Sequence, residues 1–249
     1  RCGQFRGSDA SRARIDYARR AVAYESRDWE SARAGLSQLA NKFARFGMTR
    51  YVALCAYLDG VTLKECGRPR EALAQLNLVA SNESAELDDW IKGLALIYSA
   101  EIWAKEGEAN ESSGALAKAW TLVGDSRVPA AIAHFHAVKG QILRDLGQLD
   151  SAVESYRLAA STYEAAGCGS WETLLRIITA ETLLACGRDG DALSEIVSAL
   201  RIIETLGLFQ EGIVAVALLR ESLSRQCADR EALVTLRRAL QNLNEGSRS

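Results

Sequence analysis

At 249 residues the chain is longer than one ordinary hydrophobic core organises, so it must divide into domains or grow by stacking similar units. Its 30 Lys and Arg nearly balance its 32 Asp and Glu, and a net charge of -2 with a pI near 5.9 excludes a general nucleic-acid surface. No apolar run approaches the roughly 20 residues of a membrane-spanning helix, and no membrane contact is expected.

Residues 1–8 read as an N-terminal tail. The chain opens at Arg1 and its single methionine is Met48, so an upstream segment is expected to precede it. Arg1, Arg6, Arg12, Arg14, Arg19 and Arg20 against Asp9 and Asp16 make this end basic, either as a solvated linker and helix face or as a dock for an upstream domain or acidic partner. A first pair of helices is predicted over about 8–46. A second pair covers 48 to about 79, with Pro69 in a first helical turn, where a missing amide proton costs least. A polar junction, SNESAELDD over 81–89, follows.

The third pair departs from its neighbours. Ser112 stands where they have alanine, and Gly114 falls inside its second helix, at about 1 kcal/mol against alanine. Trp103 and Trp120 are expected to fill this looser junction as core residues. In the fourth pair the apolar or small positions between Leu149 and Tyr163 fall at steps of three and four, the mark of an amphipathic helix. The preceding segment, 132–146, is equally helical, and Gly147 joins the two as a residue that tolerates positive φ. Ser151 and Glu154 fit a capping box. Fifth and sixth pairs follow without linkers, closing at Gly167 and Gly207, and the chain ends in a polar tail over 245–249.

A 40-residue period relates these pairs. Gly67, Gly107, Gly147 and Gly187 stand 40 apart, and five residues after each comes a small one: Ala72, Ser112, Ala152 and Ala192. Seven residues before each turn stands another, in Gly60, Ala100, Gly140 and Ala180. A fixed period of this length marks a repeat architecture. At the two ends Arg20 and Arg220 occupy the small column, and Arg27 and Cys227 replace the turn glycine, which suits terminal units with one face bare.

Gly147, Ala152, Tyr156 and Ala159 resemble the tetratricopeptide repeat family, in which a turn glycine is followed by a small, an aromatic or apolar, and another small residue at fixed steps. The third position reads Leu36, Leu76, Leu116, Tyr156, Ile196 and Leu236 along the chain. The resemblance covers nearly the whole sequence and implies an all-α fold, a right-handed α-solenoid of about six antiparallel helix hairpins forming one domain over 9–244. The period exceeds the family's usual 34, the aromatic and leucine near the start of the first helix are missing, and no proline closes the unit. A longer unit resembles the helical repeats of large bacterial transcription regulators of the maltose-regulator type and of kinesin light chains.

Six cysteines show no CxxC spacing and no accompanying ligand pair, so no metal site is predicted. Cys66 and Cys186, at one repeat position before the turn, read as small packing residues in a reducing, cytoplasmic setting; Cys2 could belong to an upstream cluster. His134 and His136 lie two apart on a helix and point about 200° apart, too divergent to grip one metal. No HExxH, GxSxG or phosphate-binding glycine loop occurs, and Asp88 and Asp89 sit at a helix start, where acids favour the dipole. Neither catalysis nor a cofactor is expected.

The resemblance further implies that the first helix of each unit lines a concave face. The column directly after the small residue reads Ala21, Val61, Glu101, Gln141, Glu181, Glu221, and its neighbours bring Tyr17, Tyr57, Lys64, Arg144 and, on the same helices, His134. Tyr17, Tyr57, Lys64, Glu101, His134, Gln141, Arg144, Glu181 and Glu221 are therefore the candidate partner-binding residues. The carboxylates either form an acidic ladder that selects a partner carrying Lys or Arg, or are helix-forming glutamates on a wet face, each exposed pair contributing under about 1 kcal/mol. The ladder puts acids where the family's clamp for chaperone C-termini uses lysine, asparagine and arginine. The expectation is a scaffold for a protein or peptide, within a larger bacterial regulatory or signalling protein. One alternative is a module of a transcription regulator that senses a small ligand or peptide and controls an upstream domain. Another is an array that self-associates through its ends, which requires Arg20 and Arg220 to face something acidic.

Overall fold

The computed structural model describes residues 2–206 together with Val234, Arg237 and Arg238, and the surroundings of side chains over 9–205 and at those three positions. Apart from those three positions the sixth repeat, including Glu221 and Arg220, lies outside the described residues. Among them every regular element is an α-helix: α1 (Cys2–Glu25), α2 (Trp29–Arg33), α3 (Leu36–Arg45), α4 (Thr49–Glu65), α5 (Pro69–Ala80), α6 (Asp89–Lys105), α7 (Ala109–Val123), α8 (Pro129–Asp145), α9 (Leu149–Ala165), α10 (Gly169–Ala185) and α11 (Asp189–Leu206). None of them is long and apolar enough to cross a membrane. The backbone of residues 2–8, read from the sequence as a tail, belongs to α1.

The period is kept to the residue. The first helices α4, α6, α8 and α10 start at Thr49, Asp89, Pro129 and Gly169, and the second helices α5, α7, α9 and α11 at Pro69, Ala109, Leu149 and Asp189, all 40 apart. Each turn glycine takes a left-handed φ, between 69° and 84°, and closes its helix in the same way. At Gly67 the amide donates to the Lys64 carbonyl at 3.1 Å and the amide of Arg68 to Leu63 at 3.0 Å, the paired bonds of a Schellman motif. Pro69 opens α5, as expected, and Pro129 opens α8.

The helices pack in consecutive pairs, α4 on α5, α6 on α7, α8 on α9 and α10 on α11. They form two compact units, one of α1 to α7 and one of α8 to α11, divided between Ser126 and Arg127. No composition shift marks that boundary. In the first unit Phe43, Leu58, Leu76 and Ile91 are core residues; in the second, Tyr156, Ile177, Leu183 and Ile196.

The small column is where the two helices of a hairpin approach most closely. A Cβ on Gly60 would stand 2.9 Å from Cγ of Leu76 and 3.3 Å from the carbonyl of Ala72. In the third hairpin, where serine replaces alanine, Ser112 is buried and its hydroxyl donates to the Ala100 carbonyl at 2.9 Å, so the close approach survives the extra oxygen. Gly114 does not break α7, which runs unbroken past it.

Five expectations are corrected. The second helix of the first hairpin is split into α2 and α3, with Gly35 at φ 73° between them. The reason lies in Arg20: it is too large for the close approach, and its guanidinium instead donates to the Ser31 carbonyl at 2.9 Å, inside its own hairpin rather than toward a bare end. Ser151 and Glu154 form no capping box, because α9 starts at Leu149, directly after the Schellman turn, and Ser151 already lies within it. Trp120 is 43% exposed rather than a core ring. Cys66 is exposed, not packed.

The polar junction between α5 and α6 is tied back to the start of α4. Arg50 pairs with Asp88 at 2.6 Å, and Thr49 hydrogen-bonds Ser84 and Glu86. Leu87 is buried beneath it.

Candidate partner-binding face

In the first unit the helices α1, α4 and α6 bring together Tyr17, Tyr57, Lys64 and Glu101, four of the residues singled out by the repeat columns. Periodicity places them together: Tyr57, Lys64 and Tyr17, Tyr24 are pairs seven apart, two turns of helix on one face. Tyr57 and Tyr98 meet edge to face with ring centroids 6.1 Å apart. Nζ of Lys64 stands 5.1 Å from the centroid of Tyr98 and 2.7 Å from Oε2 of Glu101, so the ammonium is held by a ring and a carboxylate at once. The other oxygen of Glu101 accepts from Lys105 at 2.7 Å.

The four tyrosines 17, 24, 57 and 98 are half-buried. Burial pushes the hydroxyls of Tyr17, Tyr24 and Tyr57 well above the usual tyrosine range, with neighbouring rings and carboxylates adding to it, and all stay protonated donors. At Glu101 burial pulls the carboxyl upward, but the Lys64 charge and hydrogen bonds from Lys105 and Lys64 outweigh it and hold it down at about 2. The expected acidic ladder is thus not an open negative surface at this rung: the chain's own lysines occupy it.

In the second unit Gln141 and Arg144 of α8 form a separate cluster. Arg144 donates to Oε1 of Gln141 at 2.8 Å, and Nε2 of Gln141 donates to Asp145 at 2.8 Å. The Tyr156 hydroxyl reaches the same Oε1 at 3.4 Å. Glu181 is nearly buried and pairs with Arg237 at 3.2 Å. His134 stands on α8 two turns before Gln141, half-buried. The carboxylate of Glu181, like that of Glu101, faces a cation from its own chain.

Tyr98 and Tyr24 complete the first cluster and were not among the candidates. Tyr98 lies one turn before Glu101, a spacing of three that sets both on one helix face and that no single repeat column contains.

These side chains can hold and orient a ligand through rings, hydroxyls and a lysine. Among the described residues no group of three or more His, Cys, Asp or Glu is placed to hold a metal ion. In comparisons with known proteins, no family model matches the chain and no curated protein is significantly similar to it.

Proposed function

We propose that the chain is a non-catalytic interaction module of the tetratricopeptide-like kind, its 40-residue repeat winding a right-handed solenoid of about six hairpins. It grips a protein or peptide segment on the face that carries Tyr17, Tyr24, Tyr57 and Tyr98. The observation that carries this reading is the gathering of four half-buried tyrosines around a Lys64–Glu101 pair on three successive first helices. Tyrosine offers large contact area at small entropic cost together with a donor, and it is enriched where proteins bind one another. With Glu101 already held by two lysines, the face favours aromatic and polar contacts over selection of a basic partner.

Affinity capture from cell lysate, identification of the retained protein, and titration of that purified protein test the reading. Tyr57→Ala and Tyr98→Ala are expected to weaken its binding about tenfold or more, with helicity unchanged. Equal binding by these variants, or no retained protein, would sink the proposal.

A second reading has the same tyrosine face accept a small molecule or signalling peptide, as the sensing module of a bacterial regulator. It is favoured by the desolvated tyrosine hydroxyls, which suit a small polar ligand. A thermal-shift screen of metabolites separates the two, since only a small-ligand site raises Tm without a protein partner.

A further inference from the structure

Between α5 and α7, floored by α6, lies a hollow of about 820 Å³. It is on another side of α6 from the tyrosine face. At 3.6 residues per turn, Leu96 and Trp103 point about 140° or more away from Tyr98 and Glu101.

The 40-residue register identifies the counterpart of this furrow two repeats on, between α9 and α11 over α10. There it is filled. Nε of Arg157 donates to Glu195 at 2.8 Å, and Arg176 reaches Glu195 at 3.3 Å, Glu172 at 2.7 Å and Glu164 at 3.2 Å. Glu172 and Glu195 are buried in this network. Moving back 80 positions turns Arg157, Arg176 and Glu195 into Asn77, Leu96 and Ala115. None of these can make the ion pairs, and all three line the open hollow.

The open furrow has a chemistry of its own. Leu73, Leu96, Ala115 and the half-buried Trp103 give it an apolar lining, and a Cβ on Gly114 would meet nothing within 4 Å. Five exposed charges edge it: Arg70, Glu106, Glu108, Glu111 and Lys118. Among the described residues none of the five has an ion-pair partner, whereas the lysines and glutamate of the tyrosine face are all paired. Three carboxylates gather where α6 turns into α7. Lys118 stands seven residues beyond Glu111, about 10 Å along the helix.

We propose that this furrow binds an amphipathic helix of a partner protein. Its large apolar side chains enter between α5 and α7 against Trp103, its basic residues meet Glu106, Glu108 and Glu111, and an acidic residue about 10 Å further along meets Lys118. A trough between two helices accepts a third by the same ridge-into-groove packing that builds the hairpins. Tryptophan in such a trough is the residue type that most often dominates binding energy. The surplus of carboxylates over cations at the rim makes the partner's matching face basic.

The test selects from a displayed library of helical peptides of about 18 residues, five turns, with an apolar face at fixed helical spacing and every other position free, using the full chain as target. Recovered peptides are expected to carry Lys or Arg at one end of the apolar face. Trp103→Ala, and separately the triple change Glu106→Lys, Glu108→Lys and Glu111→Lys, are expected to weaken their binding about tenfold or more; Tyr98→Ala is expected to leave it within about twofold. A third variant writes the second unit's network into the furrow, as Asn77→Arg, Leu96→Arg and Ala115→Glu, and is expected to abolish binding with helicity retained. Recovery of no peptide, no basic bias, or undiminished binding to the Trp103 variant overturns the proposal. So does self-association of the chain that is lost on Trp103→Ala, because a second copy would then be the occupant. None of these outcomes bears on the tyrosine face, whose variants are read separately.

Discussion

The ring of Tyr156 occupies the space that a methyl group on Gly140 would need: a Cβ there would stand 2.7 Å from both Cδ1 and Cε1. Tyr156 is 1% exposed and has nowhere to retreat. Gly60 and Leu76 repeat the relationship 80 residues earlier. Gly140→Ala is therefore expected to destabilise the second unit by about 1–3 kcal/mol through overpacking. Tyr156→Leu should recover part of that loss in the double variant, and urea midpoints of the four proteins measure the coupling. Strictly additive changes would show that the two residues do not constrain each other.

Arg27 stands in the turn-glycine column with φ 58° and makes the same closing bonds as the glycines, its amide to Tyr24 at 3.0 Å and the amide of Asp28 to Ala23 at 2.9 Å. A side chain in the left-handed region costs about 1–2 kcal/mol. Arg27→Gly is expected to raise the stability of the first unit by about 0.5–1 kcal/mol, less than the strain relieved because glycine also frees the unfolded chain. Gly147→Ala, at φ 76°, should lower that of the second by about 1–2 kcal/mol. Thermal melts of the two variants in opposite directions are the check.

Glu101 supplies a pH dependence of definite sign. Its carboxyl is held at about 2 in the folded chain against an ordinary 4.5, by the net of burial, which raises it, and Lys64 with Lys105, which lower it further. A depressed folded value contributes stability that is fully present above pH 4.5 and is lost as pH falls toward 2, on the order of 1–3 kcal/mol. Glu101→Gln should remove this part of the slope between those pH values in urea unfolding. A variant as steep as the parent would assign the acid sensitivity elsewhere.

Two cysteines should differ sharply in reactivity. Cys66 is exposed, whereas burial pushes the Cys55 thiol up to about 12 and leaves almost no thiolate at neutral pH. Brief treatment with N-ethylmaleimide, followed by peptide mass spectrometry, should modify Cys66 and spare Cys55 until the chain is unfolded. Equal labelling would mean that α4 opens readily.

Helix pairing and register were legible from the sequence because both rest on local spacing: a glycine that must adopt positive φ, a small residue five positions later, and apolar steps of three and four. The interactions that decide the surface were not, because they join residues far apart. Lys64 reaches Glu101 across 37 positions, and nothing in either helix alone announces that the carboxylate is already occupied. Arg20 was legible as an exception to its column but not in its direction, since an arginine facing solvent and one folded into its own hairpin leave the same trace in the sequence. The open furrow needed both: only the fold shows the hollow, and only the repeat shows which side chains are missing from it.

The arrangement of Lys64, Glu101 and Lys105, with Glu65 3.0 Å from Lys64, also bears on kinetics. Two cations and two anions cancel within a few ångströms, so their field fades well inside a Debye length. A molecule approaching the tyrosines is neither drawn in nor turned away at long range. Its association rate there should vary little with ionic strength, and discrimination among ligands should appear in how slowly they leave.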